Sequence, residues 1–182
     1  NVLYNTADQN ISDKQINSQI DVLNEDFGGT NKDLFSTTTY NHVKAGDIKI
    51  KFVLQQVVRK NTPIIAFTTD NAMKNSKRGG IDATSPETTL NIWVCNMGGG
   101  ILGYAQFPGG NKATDGIVVT TLGFGRGRNY NLYQDFDLGR TATHEVGHYF
   151  NLRHIWGDRK CGNDQVDDTP LHGTYNFGCP PA

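Results

Sequence analysis

The sequence predicts an α/β domain (α+β in some classification schemes), in which short strands lie between two helices. Helical periodicity follows Ser12 and returns from residue 138 to 151, whereas short β-prone runs dominate the middle of the chain. The length of 182 residues fits one domain, since a chain of this size buries about 70% of its unfolded surface in a single core. These observations indicate one globular domain and not a small disulfide scaffold.

The first helix is predicted over about residues 12–27. Ser12 precedes Asp13, Lys14 and Gln15 in a capping-box pattern, and Gly28 follows the last apolar residue. The apolar residues recur at spacings of four, three and four: Ile16, Ile20, Leu23 and Phe27. This spacing predicts an amphipathic helix with one buried face.

Strands are predicted at residues 2–4, about 47–58, 90–95, 101–107 and 116–122. In the second of these runs Ile48, Ile50 and Phe52 alternate with polar residues before the chain becomes more apolar, which is typical of a strand that enters the core. Glycine-rich turns separate the later runs. Residues 70–89 and 122–135 are predicted to be loops, and residues 152–182 are loop-like and acidic.

Composition and charge exclude two function classes. Seventeen Lys and Arg residues balance 18 Asp and Glu residues, giving a net charge of -1, so no broad face is expected to hold a nucleic-acid backbone. No apolar run reaches the roughly 18 residues that a membrane span needs. We therefore expect neither nucleic acid nor membrane as a partner. The start at Asn1 predicts a processed or trimmed chain.

The second predicted helix contains the motif HEVGH, formed by His144, Glu145 and His148. Two histidines four residues apart lie on one helix face one turn apart, so both imidazoles can reach one metal ion. Glu145 is displaced by about 100° from His144, which leaves its carboxylate free to act on water. The pattern predicts a hydrolytic zinc site.

A catalytic zinc usually takes three protein ligands, and His154 is the predicted third. It follows His148 by six residues, too far along a continuous helix to meet the same ion. The helix must therefore end and the chain must turn back. Asn151 stands at that point, and asparagine tolerates the left-handed conformation that ends helices. His42 and His172 have no partner at ligand spacing, so no metal role is predicted for them.

The segment HEVGHYFNLRH is similar to the metzincin signature HExxHxxGxxH, with Asn151 where glycine is usual. Three further runs, LNIWVCNMGGGILGYAQFPG, CGNDQVDDTP and FGCP, resemble the pappalysin or cytophagalysin family of metzincins. The first predicted strand and helix also fit that family. The resemblance therefore covers most of the chain.

This resemblance implies a zincin-like twisted mixed sheet with a backing helix, an active-site helix and an antiparallel edge strand. The edge strand would run from Ile101 to Phe107 and form the upper rim of a cleft, where an extended peptide could dock by strand addition. Residues 1–154 would form the upper subdomain and residues 155–182 the start of the lower one. Neither Met73 nor Met97 lies downstream of the third histidine, so the chain is expected to stop before the methionine turn.

An acidic segment follows the zinc motif. Its carboxylates suit a hard cation such as Ca²⁺, and similar proteins bind calcium in this segment, with Asp164 and Thr169 at matching positions. The predicted calcium ligands are Asp158, Asp164, Asp168 and Thr169, with Asp167 in the same cluster. A solvated acidic loop is the alternative interpretation.

The three cysteines have different predicted roles. Cys95 lies in an apolar run and is predicted to be a buried thiol. Cys161 and Cys179 are predicted half-cystines of a secreted protein. The odd count and the resemblance indicate partners beyond Ala182, such as cysteines of a separate C-terminal fragment, although a direct bridge across the intervening loop would also be stable.

The sequence thus predicts a secreted zinc endopeptidase that acts on protein or peptide substrates through zinc-activated water. His144, His148 and His154 would bind zinc, and Glu145 would be the general base. One alternative is a truncated fragment that binds zinc and calcium without proteolytic activity. A second is a zinc hydrolase of small substrates, against which the predicted edge strand argues.

Overall fold

A five-stranded mixed sheet forms the centre of the protein in the computed structural model, which describes residues 1–34 and 41–176. The spatial order is β2-β1-β3-β5-β4, and every pair is parallel except β4 with β5. This arrangement confirms the predicted mixed sheet with an antiparallel edge strand. The strands are β1 Val2–Tyr4, β2 Arg59–Asn61, β3 Ile92–Cys95, β4 Gly103–Ala105 and β5 Ile117–Thr120.

Both faces of the sheet are covered. Val94 and Val119 point to the face that packs on the helices, whereas Trp93 and Val118 point to the opposite face, covered by the loop that contains Phe67. Strands buried on both faces are expected to be continuously apolar, as β3 and β5 are. The core therefore consists of two layers, one on each side of the sheet.

Two α-helices cover one face of the sheet, α1 from Asp13–Phe27 and α2 from Arg140–Tyr149. The Oγ of Ser12 accepts a hydrogen bond from the amide of Gln15, which confirms the predicted N-cap. Helix α2 is two residues shorter at each end than predicted, because Gly139 before it and Asn151 after it both have a left-handed φ of 75°. No helix in the described ranges is long and apolar enough to span a membrane.

Buried polar contacts fix α2 against α1. The amide of Gln19, which has no exposed surface, donates to the carbonyl of Gly139 at 2.9 Å and accepts from the amide of Gly125 at 2.7 Å. One turn further along α2, the hydroxyl of Thr143 donates to Asp26 at 2.6 Å. These bonds join the start of α2 to the middle and end of α1, so the backing helix positions the helix that carries the HEVGH motif.

The predicted strand at residues 47–58 is wrong. Strand β2 begins only at Arg59, and the preceding segment is bonded to a helix side chain. Asn24 of α1 accepts from the backbone amide of Phe52 at 2.8 Å and donates to its carbonyl at 3.0 Å. Of the alternating apolar residues, Phe52 packs against the helix-side core but Ile48 is exposed, so the alternation does not mark the buried face of a strand.

A buried lysine lies against the sheet near the edge strand. Lys74 is 3% exposed, donates to the carbonyl of Thr114 at 2.7 Å, and lies 5.0 Å from the ring centres of Trp93 and Tyr104. Burial lowers the pKa of this lysine to about 8, although the nearby Asp115 carboxylate acts in the opposite direction. The ammonium group therefore makes contacts that offset only part of its lost hydration.

Candidate metal centre

Helix α2 presents two imidazoles on one face. His144 and His148 lie one helical turn apart, and their Nε2 atoms are 3.0 Å from each other. Their rings meet edge to face, with centroids 4.5 Å apart. The helix backbone alone is sufficient to bring this pair together, as the spacing predicts.

A tight turn after α2 brings the third imidazole to the pair. Asn151 has the predicted left-handed conformation, with φ of 75°, and its amide donates to the carbonyl of His148. The next amide, that of Leu152, donates to Gly147 at 2.9 Å. The chain then reverses, and the Nε2 of His154 lies 3.1 Å from that of His144 and 3.2 Å from that of His148.

The three Nε2 atoms fit a zinc ion. Zinc–nitrogen bonds of 2.0–2.1 Å in tetrahedral geometry place neighbouring ligand nitrogens about 3.3 Å apart, which is close to the separations between these three Nε2 atoms. Among the described residues, His144, His148 and His154 are the group of His, Cys, Asp or Glu side chains whose ligand atoms come within metal-binding distance of one another. The site is therefore a candidate metal centre with three nitrogen donors.

Hydrogen bonds and burial keep these nitrogens available as donors to a metal. A carbonyl oxygen can only accept, so the Nδ1 of His148 donates to Leu152 at 2.7 Å and its Nε2 retains a free lone pair. Burial, followed by the charges of the two neighbouring imidazoles, lowers the pKa of His144 to about 4. Neutral imidazole, the form that binds metals, is therefore favoured at His144.

Glu145 lies beside the triad but outside it. The residue is 6% exposed, and burial raises the pKa of its carboxyl to about 7. Its side chain faces β4, where a Cβ built on Gly103 would lie 3.0 Å from its Oε1. The carboxyl group is thus held between helix α2 and the edge strand β4.

An open cleft continues from the metal centre. It has a volume of about 350 Å³, and its walls include His144, His148, Phe27 and Leu152. On another side of the triad, the ring of Phe107, just beyond β4, lies 5.5 Å from that of His148. Apolar side chains therefore lie on two sides of the pair His144 and His148, next to a cleft with room for a ligand.

The structure distributes the predicted calcium ligands along the segment after α2. Asp158 contacts His154, whereas Asp164 is buried and accepts a hydrogen bond from the amide of Val166. Asp168 is exposed, and the amide of Thr169 donates to the carbonyl of Val166. Within the ranges that the structure describes, these carboxylates do not form a metal-binding group of three.

Cys95 is fully buried, as predicted, and burial raises the pKa of its thiol to about 12. Cys161 is exposed and forms no disulfide with a described residue. Cys179 lies outside the described residues. The predicted pairing of Cys161 and Cys179 with partners beyond Ala182 therefore stays a prediction.

Comparison with known proteins supports the same family as the motif. The family model of the M43 peptidases, described as pregnancy-associated plasma protein-A, matches residues 82–178, more than half of the chain. The chain belongs to the pappalysin family of metzincin zinc metalloproteases. This pappalysin chain is 43% identical to mature mirolysin from Tannerella forsythia, whose structure was solved with a cleaved peptide; the TM-score is 0.91, and the match covers 99% of this chain and 72% of mirolysin.

Several curated relatives of this pappalysin chain are named extracellular metalloprotease. Those of Arthroderma gypseum and Colletotrichum graminicola are each 33% identical over 93% of this chain. The matched region is 53% of the first relative and 54% of the second. The chain therefore spans about half the length of the curated relatives that it matches.

Sequence reasoning missed several residues that surround the three imidazoles of this pappalysin. Trp156 stacks on the ring of His154, and the carbonyl of Leu152 accepts from His148. Gly103 lies against Glu145 across the gap between β4 and α2. The contact between Asp158 and His154 had a local signal in the sequence, because Asp158 follows this predicted ligand by four positions. The contact between Gly103 and Glu145 has no such signal, because the two residues are far apart in the sequence.

Proposed function

We propose that this chain carries the site of a secreted zinc-dependent endopeptidase, in which His144, His148 and His154 hold the metal. The observation that carries the proposal is the triangle of three Nε2 atoms, each within 3.2 Å of the other two. Three neutral imidazoles leave a coordination position open, as catalytic zinc sites do and structural sites do not. Membership of a metalloprotease family supports the same metal.

Bound zinc supplies a Lewis acid that polarises a peptide carbonyl and lowers the pKa of water. Glu145 is the general base: its carboxylate takes a proton from the attacking water and delivers it to the leaving amine. Its position supports this role, because Glu145 is adjacent to His144 in the helix and yet lies outside the nitrogen triangle. A carboxylate that bound the metal itself could not transfer protons in this way.

The substrate is a protein or peptide that docks in extended form along β4. The carbonyl of Leu102 accepts a hydrogen bond from Thr120 of β5, and the amide of Gln106 donates to Gly116, just before β5. Because backbone groups alternate in direction along an antiparallel strand, those of Gly103 and Ala105 point away from β5. These groups can pair with an added strand. The mirolysin structure with a cleaved peptide supports a peptide ligand.

The proposal also includes secretion, a calcium site and the pairing of two cysteines. The relatives named extracellular metalloprotease support export. Of the four predicted calcium ligands, Asp164, Asp168 and Thr169 belong to the proposed site, whereas Asp158 contacts His154 instead. Cys161 and Cys179 are proposed to pair with cysteines on a C-terminal fragment. A melting curve at fixed zinc with calcium varied tests the calcium site, because an ion that binds only the folded state raises Tm. A Tm independent of calcium would contradict it.

The decisive experiment compares the parent chain with Glu145→Ala. Elemental analysis is expected to find about one zinc per chain in both, because the general base is not a ligand. Peptide cleavage by the variant is expected to fall by roughly 100-fold or more, the scale of lost general base catalysis. The matched control is Glu87→Ala, which removes an exposed carboxylate elsewhere.

The alternative of a metal-binding fragment without proteolytic activity predicts a different result. In that case the parent would bind zinc and cleave no peptide, and Glu145→Ala would change nothing. A parent without zinc after dialysis would contradict both interpretations.

Mass spectrometry without reductant tests the cysteine pairing, since a direct bridge between Cys161 and Cys179 in one chain would contradict it.

A further inference from the structure

His154, the third candidate ligand, is not held in place by helix α2 as the first two are. Helix α2 fixes the backbone of His144 and His148, whereas His154 lies five residues beyond its end at Tyr149. An imidazole on an irregular segment can rotate and can bind through either ring nitrogen. Some other part of the chain must therefore orient the His154 ring.

A compact turn after His154 supplies one constraint. The amide of Gly157 donates to the carbonyl of His154 at 2.7 Å, and Gly157 and Asp158 have left-handed φ values of 60° and 58°. Position 157 has no room for a side chain, because a Cβ there would clash with the amide nitrogen of Asn163. This backbone returns the side chain of Asp158 to the imidazole, at the cost of an unusual conformation for a residue with a side chain.

The carboxylate of Asp158 meets the ring nitrogen that faces away from the triangle. Its Oδ1 is within hydrogen-bond distance of the Nδ1 of His154. A carboxylate accepts, so Nδ1 is the donor and Nε2 keeps the lone pair that points to His144 and His148.

A second contact fixes the plane of the same ring. The indole of Trp156 stacks on the imidazole of His154 with centroids 4.3 Å apart and planes 7° from parallel. The carbonyl of Trp156 in turn accepts from the amide of Gly162. Stacking leaves the ring free to slide in its plane, and the bond to Asp158 removes that freedom.

We propose that Asp158 is a positioning residue for the zinc site, which fixes the tautomer and the direction of His154, and is not a ligand of a cation in the acidic segment. The inference rests on the proposed function, since it takes the three imidazoles as zinc ligands. A hydrogen-bonded carboxylate also makes an imidazole a stronger donor to metal. Asp158 therefore acts on the metal through His154.

The test measures zinc affinity by chelator competition for the parent, Asp158→Ala and Asp158→Asn. The alanine variant is expected to bind zinc about 100-fold more weakly and the asparagine variant about tenfold, the range found for partners of metal-bound histidines. Asparagine keeps the shape and an acceptor oxygen but loses the charge. If the alanine variant does not fold, the zinc affinity of the isosteric asparagine variant tests the proposal.

The control is Asp135→Asn, which removes one exposed charge at a position outside the predicted calcium cluster. Its zinc affinity is expected to stay within about twofold of the parent, since a solvated charge contributes little at this range. Equal losses in Asp135→Asn and Asp158→Asn would overturn the proposal in favour of a general charge effect. Unchanged zinc affinity in both Asp158 variants would overturn it as well.

Two further readouts separate a positioning role of Asp158 from a role as a calcium ligand. In the zinc-loaded parent, the Nδ1–H proton of His154 is expected to give a slowly exchanging NMR signal that Asp158→Ala loses. If Asp158→Ala instead abolishes a calcium-dependent rise in Tm and keeps its zinc affinity, Asp158 is a calcium ligand and the proposal is wrong. A parent that binds no zinc contradicts the proposed function itself, so the two failures are distinguishable.

Discussion

The backbone of Gly103 lies directly against the side chain of Glu145. A Cβ built on Gly103 would be 3.0 Å from both the Cγ and the Oε1 of that residue and 2.7 Å from the carbonyl oxygen of Val118. Strand β4 and helix α2 therefore approach each other as closely as they do only because position 103 has no side chain.

Gly103→Ala is expected to displace β4 or the Glu145 carboxylate by several tenths of an ångström. Peptide cleavage should fall roughly 10- to 100-fold, because small misplacements of catalytic groups are costly. Zinc content should stay the same, since the three atoms nearest to a Cβ at position 103 belong to Val118 and Glu145 and not to the three histidines. The matched variant is Gly98→Ala, whose Cβ would make only ordinary contacts. Full activity of Gly103→Ala in a peptide-cleavage assay would contradict the prediction.

Lys74→Met is expected to change how stability depends on pH. Burial lowers the pKa of Lys74 from 10.5 to about 8, so the unfolded chain binds more protons than the folded one between these values. The lysine therefore destabilises the fold most below pH 8, and this cost disappears as pH rises toward 10.5.

Urea unfolding at pH 7 and pH 9.5 measures the effect of Lys74. The free energy of unfolding of the parent should rise relative to Lys74→Met by about 2 kcal/mol between these pH values. Other titrating groups, including Cys95, are present in both proteins and contribute equally. A difference that is constant with pH would show that the lysine is charged to the same extent in both states.

Asn151→Ala is expected to lower the free energy of unfolding by about 1–2 kcal/mol, because alanine is strained at φ of 75°. Asn151→Gly should stay within about 0.5 kcal/mol of the parent, since glycine accepts this conformation at a small entropic cost. Denaturant unfolding of the two variants measures the difference. Equal stabilities would mean that the turn before His154 adopts another conformation.

Gln19→Met is expected to lower the free energy of unfolding by about 2–4 kcal/mol. It leaves the carbonyl of Gly139 and the amide of Gly125 without their buried partner. Because Gly139 precedes α2, zinc affinity should also fall. Gln56→Met, at an exposed position, is the control and should stay within about 0.5 kcal/mol of the parent. Similar losses in the two variants would contradict the assigned role of Gln19.

The local sequence was sufficient for features that arise within a few residues. The capping of α1 by Ser12, the approach of His144 to His148 and the left-handed turn at Asn151 all follow from helix geometry and from the conformational preferences of single residues. For the same reason the family resemblance was visible in short continuous runs, of which HEVGHYFNLRH is one.

Contacts between distant parts of the chain were decided only by the tertiary structure. Phe52 alternates with polar neighbours as a strand residue would, yet its backbone bonds to Asn24 of a helix. Asp158 looked like one of several equivalent acidic ligands, yet the turn at Gly157 directs it to His154. Periodicity reports which side chains are buried but not which element covers them, because that depends on packing between segments far apart in sequence.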